Sequence, residues 1–195
     1  ATGATVTIEE TAAVAHTIDT AAGASVTVNM GATKAGSNVT VTDAASVTLG
    51  GRAATGDMVA TVLDDVDTTA LSINTTAAND IDTGAITSTD QLASIAATTA
   101  ADGGTITTGA VADASSLASL TLTGVGGDIT MTTIGNGGGA DVAAQLATIN
   151  ATATDGSDII VGDLSADTTT DSVTDLAMTV TASASGTTSG ADVSS

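Results

Sequence analysis

Branched apolar residues along this chain alternate with Thr or Ser. Val26-Thr-Val28, Val39-Thr-Val41, Leu71-Ser-Ile73, Leu120-Thr-Leu122 and Met178-Thr-Val180 all repeat at period two, the spacing of a strand with one buried and one wet face. Thr and Val both favour a pleated surface. Turn-forming residues separate these runs: Asn79-Asp80, Asp102-Gly103-Gly104, Gly126-Gly127-Asp128, Asn136 to Gly139 and Asp155-Gly156.

A longer period lies over the short one. Ile81-Asp-Thr-Gly-Ala-Ile86, Ile106-Thr-Thr-Gly-Ala-Val111, Ile129-Thr-Met-Thr-Thr-Ile134 and Ile159-Ile-Val-Gly-Asp-Leu164 align without gaps, with starts 25, 23 and 30 residues apart. A second series interleaves with the first: Leu71-x-Ile73, Leu92-x-x-Ile95, Leu117-x-x-Leu120-x-Leu122, Leu146-x-x-Ile149 and Val173-x-x-Leu176-x-Met178. Two interleaved series with one shared period make one repeat of about 25 residues, and repeats of that length mark solenoids.

The pattern therefore predicts an all-β chain, a parallel β-solenoid in which each coil buries its apolar edge against its neighbours. Around seven coils at roughly 4.8 Å would make a rod on the order of 35 Å long. A Greek-key β-sandwich, which also has short strands and frequent turns, is the alternative. Residues 1–55 hold shorter candidate strands, Val6-Ile8, His16-Ile18, Val26-Val28, Val39-Val41 and Val47-Leu49, and read as irregular coils or a small β subdomain. Residues 56–181 hold the regular repeats, and 182–195, rich in Ser, Gly and Thr, read as a linker or tail.

Composition narrows the picture. The chain has 195 residues, with 41 Thr, 39 Ala, 22 Gly and 20 Asp but no aromatic residue, Pro or Cys. An interior coil needs its N–H groups for the ladder, which suits the lack of Pro. A ring repeated in every coil would overfill a narrow lumen, which suits the lack of aromatics. With Lys34 and Arg52 as the only cations and a net charge of −20, the chain offers no basic footprint for phosphates and no aromatic platform for bases. Nucleic acid is excluded as a partner. No apolar run approaches the length of a membrane helix, so membrane insertion is not expected, and no secretory signal pattern opens the sequence.

Twenty Asp against two Glu is a signal of its own. Asp is preferred where a carboxylate sits close to the backbone, in turns and in calcium loops. Two readings stay open: Asp caps turns and keeps the surface solvated, or a subset binds Ca²⁺ and relieves the self-repulsion of the acidic chain.

Gly156-Ser-Asp158-Ile-Ile160, followed by Gly162-Asp-Leu-Ser-Ala-Asp167, resembles the glycine-aspartate nonapeptide G-G-x-G-x-D-x-U-x of RTX proteins. Gly156, Asp158 and Ile160 fall on the G, D and apolar U positions of one unit, and Gly162 and Asp167 on the first G and the D of the next. Asp163 and Ser165 replace glycines, and Thr169 replaces the apolar residue. Asn136-Gly-Gly-Gly-Ala-Asp141 looks like one more unit. By this resemblance Asp158, Asp163, Asp167 and Asp141 are the candidate calcium ligands, at isolated sites. The Thr/Ala/Gly/Asp bias, with Leu63-Asp-Asp-Val66 leading into Leu71-Ser-Ile73-Asn, is similar to calcium-dependent bacterial surface-layer proteins and large RTX-type adhesins. That similarity implies an extracellular, cell-surface module that self-assembles into a lattice or fibre, with itself as partner and cell-surface polysaccharide as a second partner class.

Catalytic chemistry has few candidates. His16, the only imidazole, shares a strand face with Val14 and Ile18, a structural setting. Asp64, Asp65 and Asp67, or Asp80 and Asp82, could flank a glycosidic bond, but sugar sites usually add aromatic stacking. The chain is not expected to be an enzyme. Thr-x-Thr pairs at Thr5/Thr7, Thr40/Thr42, Thr105/Thr107, Thr121/Thr123, Thr130/Thr132, Thr152/Thr154 and Thr179/Thr181 would form a hydroxyl array similar to that of β-solenoid ice-binding proteins. Such an array implies an ice-binding or adhesive module as the alternative. Asn38-Val-Thr40, Asn74-Thr-Thr76 and Asn150-Ala-Thr152 match the glycosylation triplet.

Overall fold

The computed structural model describes residues 3–8, 15–30, 38–51, 58–59, 64–65, 68–75, 80–83, 86–88, 91–101, 103–112, 116–134, 148–164, 177–182 and 192–194. Strands β1 (Ala4–Ile8), β2 (Ala15–Met30) and β3 (Asn38–Gly51) come first. Then follow β4 (Met58–Val59), β5 (Asp64–Asp65), β6 (Ala70–Asn74), β7 (Ile81–Asp82), β8 (Ile86–Ser88) and β9 (Ser94–Thr98). The middle holds β10 (Ile106–Thr108), β11 (Val111–Ala112), β12 (Ser119–Val125) and β13 (Ile129–Ile134). Last are β14 (Thr148–Thr154), β15 (Asp158–Leu164), β16 (Ala177–Ala182) and β17 (Asp192–Ser194).

These strands form two sheets that the chain visits in turn. Sheet A has eight strands in the order β1-β2-β3-β6-β9-β12-β14-β16; sheet B has nine, ordered β4-β7-β10-β13-β11-β8-β5, with β15 on β13 and β17 on β15. Every pairing among the described residues is parallel. A parallel pair needs a crossover, and from β3 onward each sheet supplies the crossover of the other. The fold is a parallel β-solenoid. The sandwich alternative falls with the parallel pairing, since sandwiches of that kind are antiparallel.

The apolar series are the rungs of this ladder. Ile81 pairs with Ile106, Ile106 with Ile129, and Ile129 with Ile159. All four rungs of that column are at most 1% exposed. Ile86, Val111, Ile134 and Leu164 form the parallel column. In sheet A, Val26, Val47, Leu71, Ile95, Leu120, Ile149 and Met178 lie in one column, with Val28, Leu49, Ile73, Ala97, Leu122, Ala151 and Val180 in the next. Where burial is described, alternation leaves the aliphatic residues inward and their Thr, Ser and Asn neighbours outward, so sequence period two becomes burial period two: Leu120 and Leu122 are buried, Thr121 is exposed. The two sheets meet over a narrow core of Val, Ile, Leu and Ala.

Two details differ from the sequence reading, the register of the last sheet A strand and the nature of Asp192–Ser194. Met178, not Leu176, stands beneath Ile149. The last segment is displaced by two residues, a shift that preserves the inward face and so leaves no trace in the alternation. The stretch 1–55 joins sheet A through β1, β2 and β3. Within β2 and β3, Ala15–Asp19 pairs with Asn38–Thr42 and Ser25–Met30 with Ser46–Gly51, with register shifts between. Finally, Asp192–Ser194, in the stretch expected to be a linker, is a strand: Val193 supplies one more branched apolar residue beside Ile159.

Candidate functional site

The turn that carries the chain from sheet A into sheet B repeats coil after coil. Gly103, Gly126 and Gly156 have φ of +90°, +80° and +80°, and each stands three residues before an Ile rung, Ile106, Ile129 and Ile159. That left-handed conformation is open to Gly at little cost. Coils also press together at this corner. A Cβ on Gly127 would collide with the carbonyl oxygen of Gly104 in the preceding coil.

Hydroxyls satisfy the corner's backbone groups. Thr99 Oγ1 donates to the Gly127 carbonyl (2.9 Å) and accepts from the Val125 N–H (2.9 Å). Thr75 Oγ1 accepts the Ala100 N–H at 2.8 Å. Ser157, fully buried, donates to the Thr154 carbonyl at 2.7 Å and accepts the Thr154 N–H at 3.1 Å. Thr108 Oγ1 is different: it is buried with no hydrogen-bond partner among the described residues.

Directly before the Ile rungs stand Asp80, Thr105, Asp128 and Asp158. The Asp80 carboxylate accepts the Thr105 N–H (2.7 Å) and hydroxyl (2.9 Å), and the Asp128 carboxylate accepts the Asp158 N–H (2.8 Å). Carboxylates thus tie one coil to the backbone of the next. Alternation did not reveal this role; its signal is a short-chain acceptor immediately ahead of each rung.

Of the expected calcium ligands, Asp158 is the first residue of β15 and is exposed, with its N–H on Asp128. Asp163 stands in the same strand opposite Thr133. Asp141 and Asp167 lie outside the described residues. The repeat unit drawn from Gly156 to Ile160 is corrected in one respect. Its apolar position points outward, with Ile160 45% exposed, while Ile159 is the buried rung. Gly156-Ser-Asp158 is therefore the same corner turn as Gly126-Gly-Asp128. Among the described residues no group of three or more His, Asp or Glu gathers that could hold a metal ion.

The carboxylates weighed for hydrolysis are dispersed in role. Asp80 is occupied by Thr105, Asp82 is exposed, Asp64 and Asp65 form β5, and Asp67 lies outside the described residues. His16 is half-buried in β2, opposite Val39 and on the same face as Ile18.

The most extensive feature is the outward face of sheet A. One column runs Thr5, Thr27, Thr48, Ser72, Ala96, Thr121, Asn150 and Thr179; a second runs Thr7, Asn29, Gly50, Asn74, Thr98, Thr123, Thr152 and Thr181. The expected Thr-x-Thr pairs Thr5/Thr7, Thr121/Thr123 and Thr179/Thr181 all belong to it, as do Asn74 and Asn150 of the glycosylation triplets. Residues 4–8, 24–30, 46–51, 70–74, 94–98, 119–125, 148–154 and 177–182 hold no ionisable side chain. On a chain of net charge −20, these columns are neutral; the sheet's own ionisable residues, His16, Asp19 and Asp43, lie in the parts of β2 and β3 that precede them. Sheet B carries more of the acid: Asp64, Asp65, Asp82, Asp158, Asp163 and Asp192 lie in its strands. Comparison with protein-family models, with curated proteins and with solved structures finds no match to this chain.

Proposed function

We propose that this chain is a non-enzymatic structural module of an extracellular surface assembly, a β-solenoid that associates with copies of itself into a lattice or fibre. The observation that carries the reading is the uninterrupted parallel ladder of sheet A, eight strands long. Its contacts run along one axis, its inward positions are filled by aliphatic residues, and the described carboxylates with partners tie coil to coil instead of converging on a reacting group. Edge pairing between copies is normally blocked by Pro and Lys. Here Pro is absent and Lys occurs once.

Calcium belongs to this reading through the acidic turns, where its charge would offset that of the Asp side chains. Electron microscopy of purified protein tests the assembly directly. Ordered sheets or filaments support the reading, and monodisperse monomers at all concentrations and ionic strengths refute it.

A second reading rests on the hydroxyl columns of sheet A. Regularly spaced Thr side chains on a flat parallel face suit an ice-binding or adhesive module. Thermal hysteresis or ice shaping by the monomer would favour it over self-assembly.

A further inference from the structure

We infer that the outward face of sheet A is a self-docking surface, on which a second copy of this chain lies face to face. The inference rests on the self-assembly reading and specifies the surface that assembly uses.

Charge selects the face. Two chains of net charge −20 repel wherever acidic surfaces meet, and like charges brought together across an interface oppose association. Approach through sheet B sets Asp82 and Asp158, both exposed, against the partner's acids. The eight-rung columns of sheet A hold no ionisable side chain, Asp19 and Asp43 lying in the preceding parts of β2 and β3, so two copies can close over those columns without burying a charge.

Size agrees. Eight strands at roughly 4.8 Å and about five residues at ~3.3 Å give a face on the order of 600 Å². Two such faces bury about 1,200 Å², the lower bound of specific interfaces. Chemistry agrees as well. The outward columns of Thr, Ser and Asn present both donors and acceptors, so an isologous pairing, in which each patch meets its own copy, can satisfy its hydroxyls and amides across the contact. The outward columns pair rung to rung from Thr5 to Thr179 and from Thr7 to Thr181, and their small side chains permit close approach.

The absence of Cys makes single-cysteine variants clean probes. Thr98 lies on β9, near the middle of sheet A, and is exposed; Thr132, on β13 of sheet B, is exposed too. With a short bis-maleimide, Thr98→Cys is expected to give a covalent dimer in high yield and Thr132→Cys to give little. Thr121→Asp, also exposed, is expected to raise the concentration needed for association about tenfold or more, with an unchanged circular dichroism spectrum and melting curve showing that the coils persist. Association of the unaltered chain should strengthen as salt rises from 0.01 to 0.15 M, where the screening length falls from about 30 to 8 Å. Assembly that persists while Thr132→Cys cross-links better than Thr98→Cys, or that ignores Thr121→Asp, overturns the assignment of the face but leaves self-assembly standing. A chain that stays monomeric at every salt concentration overturns both.

Discussion

The carboxylate of Asp80 holds both the N–H and the hydroxyl of Thr105, at 2.7 and 2.9 Å, and the two residues belong to successive coils. A strand-to-strand ladder alone would leave this corner to water. The Asp side chain instead caps the next coil at the point where it enters sheet B. Because the acceptor is charged, each such bond is stronger than a neutral one. Asp80→Ala is expected to lower the unfolding free energy by about 1–3 kcal/mol. Gln91→Ala, at an exposed position outside the strands, should change it by less than about 0.5 kcal/mol. Urea denaturation of the two variants side by side checks the contrast; equal effects would remove the capping role.

Close stacking at the corner sets a second expectation. Gly127 meets backbone rather than a movable side chain, because the Gly104 carbonyl fills the space a Cβ would need. Gly127→Ala must push two coils apart and is expected to cost about 2–4 kcal/mol. Gly23 serves as the control. It has φ of +82° but open space around it, so Gly23→Ala should cost only the ~1–2 kcal/mol of a left-handed non-glycine residue. Melting curves that rank Gly23→Ala as the worse substitution would contradict the packing at this corner.

Thr108 predicts a gain. Its hydroxyl is buried, 0% exposed, and has no partner among the described residues. An unsatisfied buried hydroxyl costs about 1–3 kcal/mol, and Val keeps the branched shape. Thr108→Val is expected to stabilise the fold by roughly 1 kcal/mol, read as a higher midpoint in urea. A destabilised variant would mean that the hydroxyl is satisfied in solution.

Calcium is tested by removal. In the proposed function, ions in the acidic turns offset like charge, so excess chelator is expected to lower the melting temperature or dissolve the assembly. Differential scanning calorimetry with and without chelator measures this. An unchanged transition removes calcium from the account and leaves the Asp residues to the capping role seen at Asp80 and Asp128.

How much of this was legible beforehand varies by feature, for physical reasons. The column Ile81, Ile106, Ile129 and Ile159 is visible because every rung carries the same branched residue and the starts recur 25, 23 and 30 residues apart. The pairing of Met178 with Ile149 is not, because a two-residue slip leaves the alternation of the sequence unchanged. Asp158 reads as a candidate ion ligand because Gly and Asp at short spacing have two physical uses: a left-handed turn at a coil corner needs the same residue types as a calcium loop. The register differs from the nonapeptide at the residues that follow, Ile159 being the rung and Ile160 facing solvent. The neutrality of the sheet A columns can be counted in the sequence only once the strands belonging to that sheet are known.

All of this depends on the coils being stacked in register along one axis, and distances between spin labels test that most directly. Thr48, Thr27 and Thr5 lie three, four and five rungs from Thr121 in one outward column. At roughly 4.8 Å per rung the Cα separations should be about 14, 19 and 24 Å. Pulsed electron resonance on three double-cysteine variants, diluted with unlabelled chain, should recover a distance that grows by one strand spacing per rung. Distances that fail to increase in that order would contradict the solenoid and every function argued from its faces.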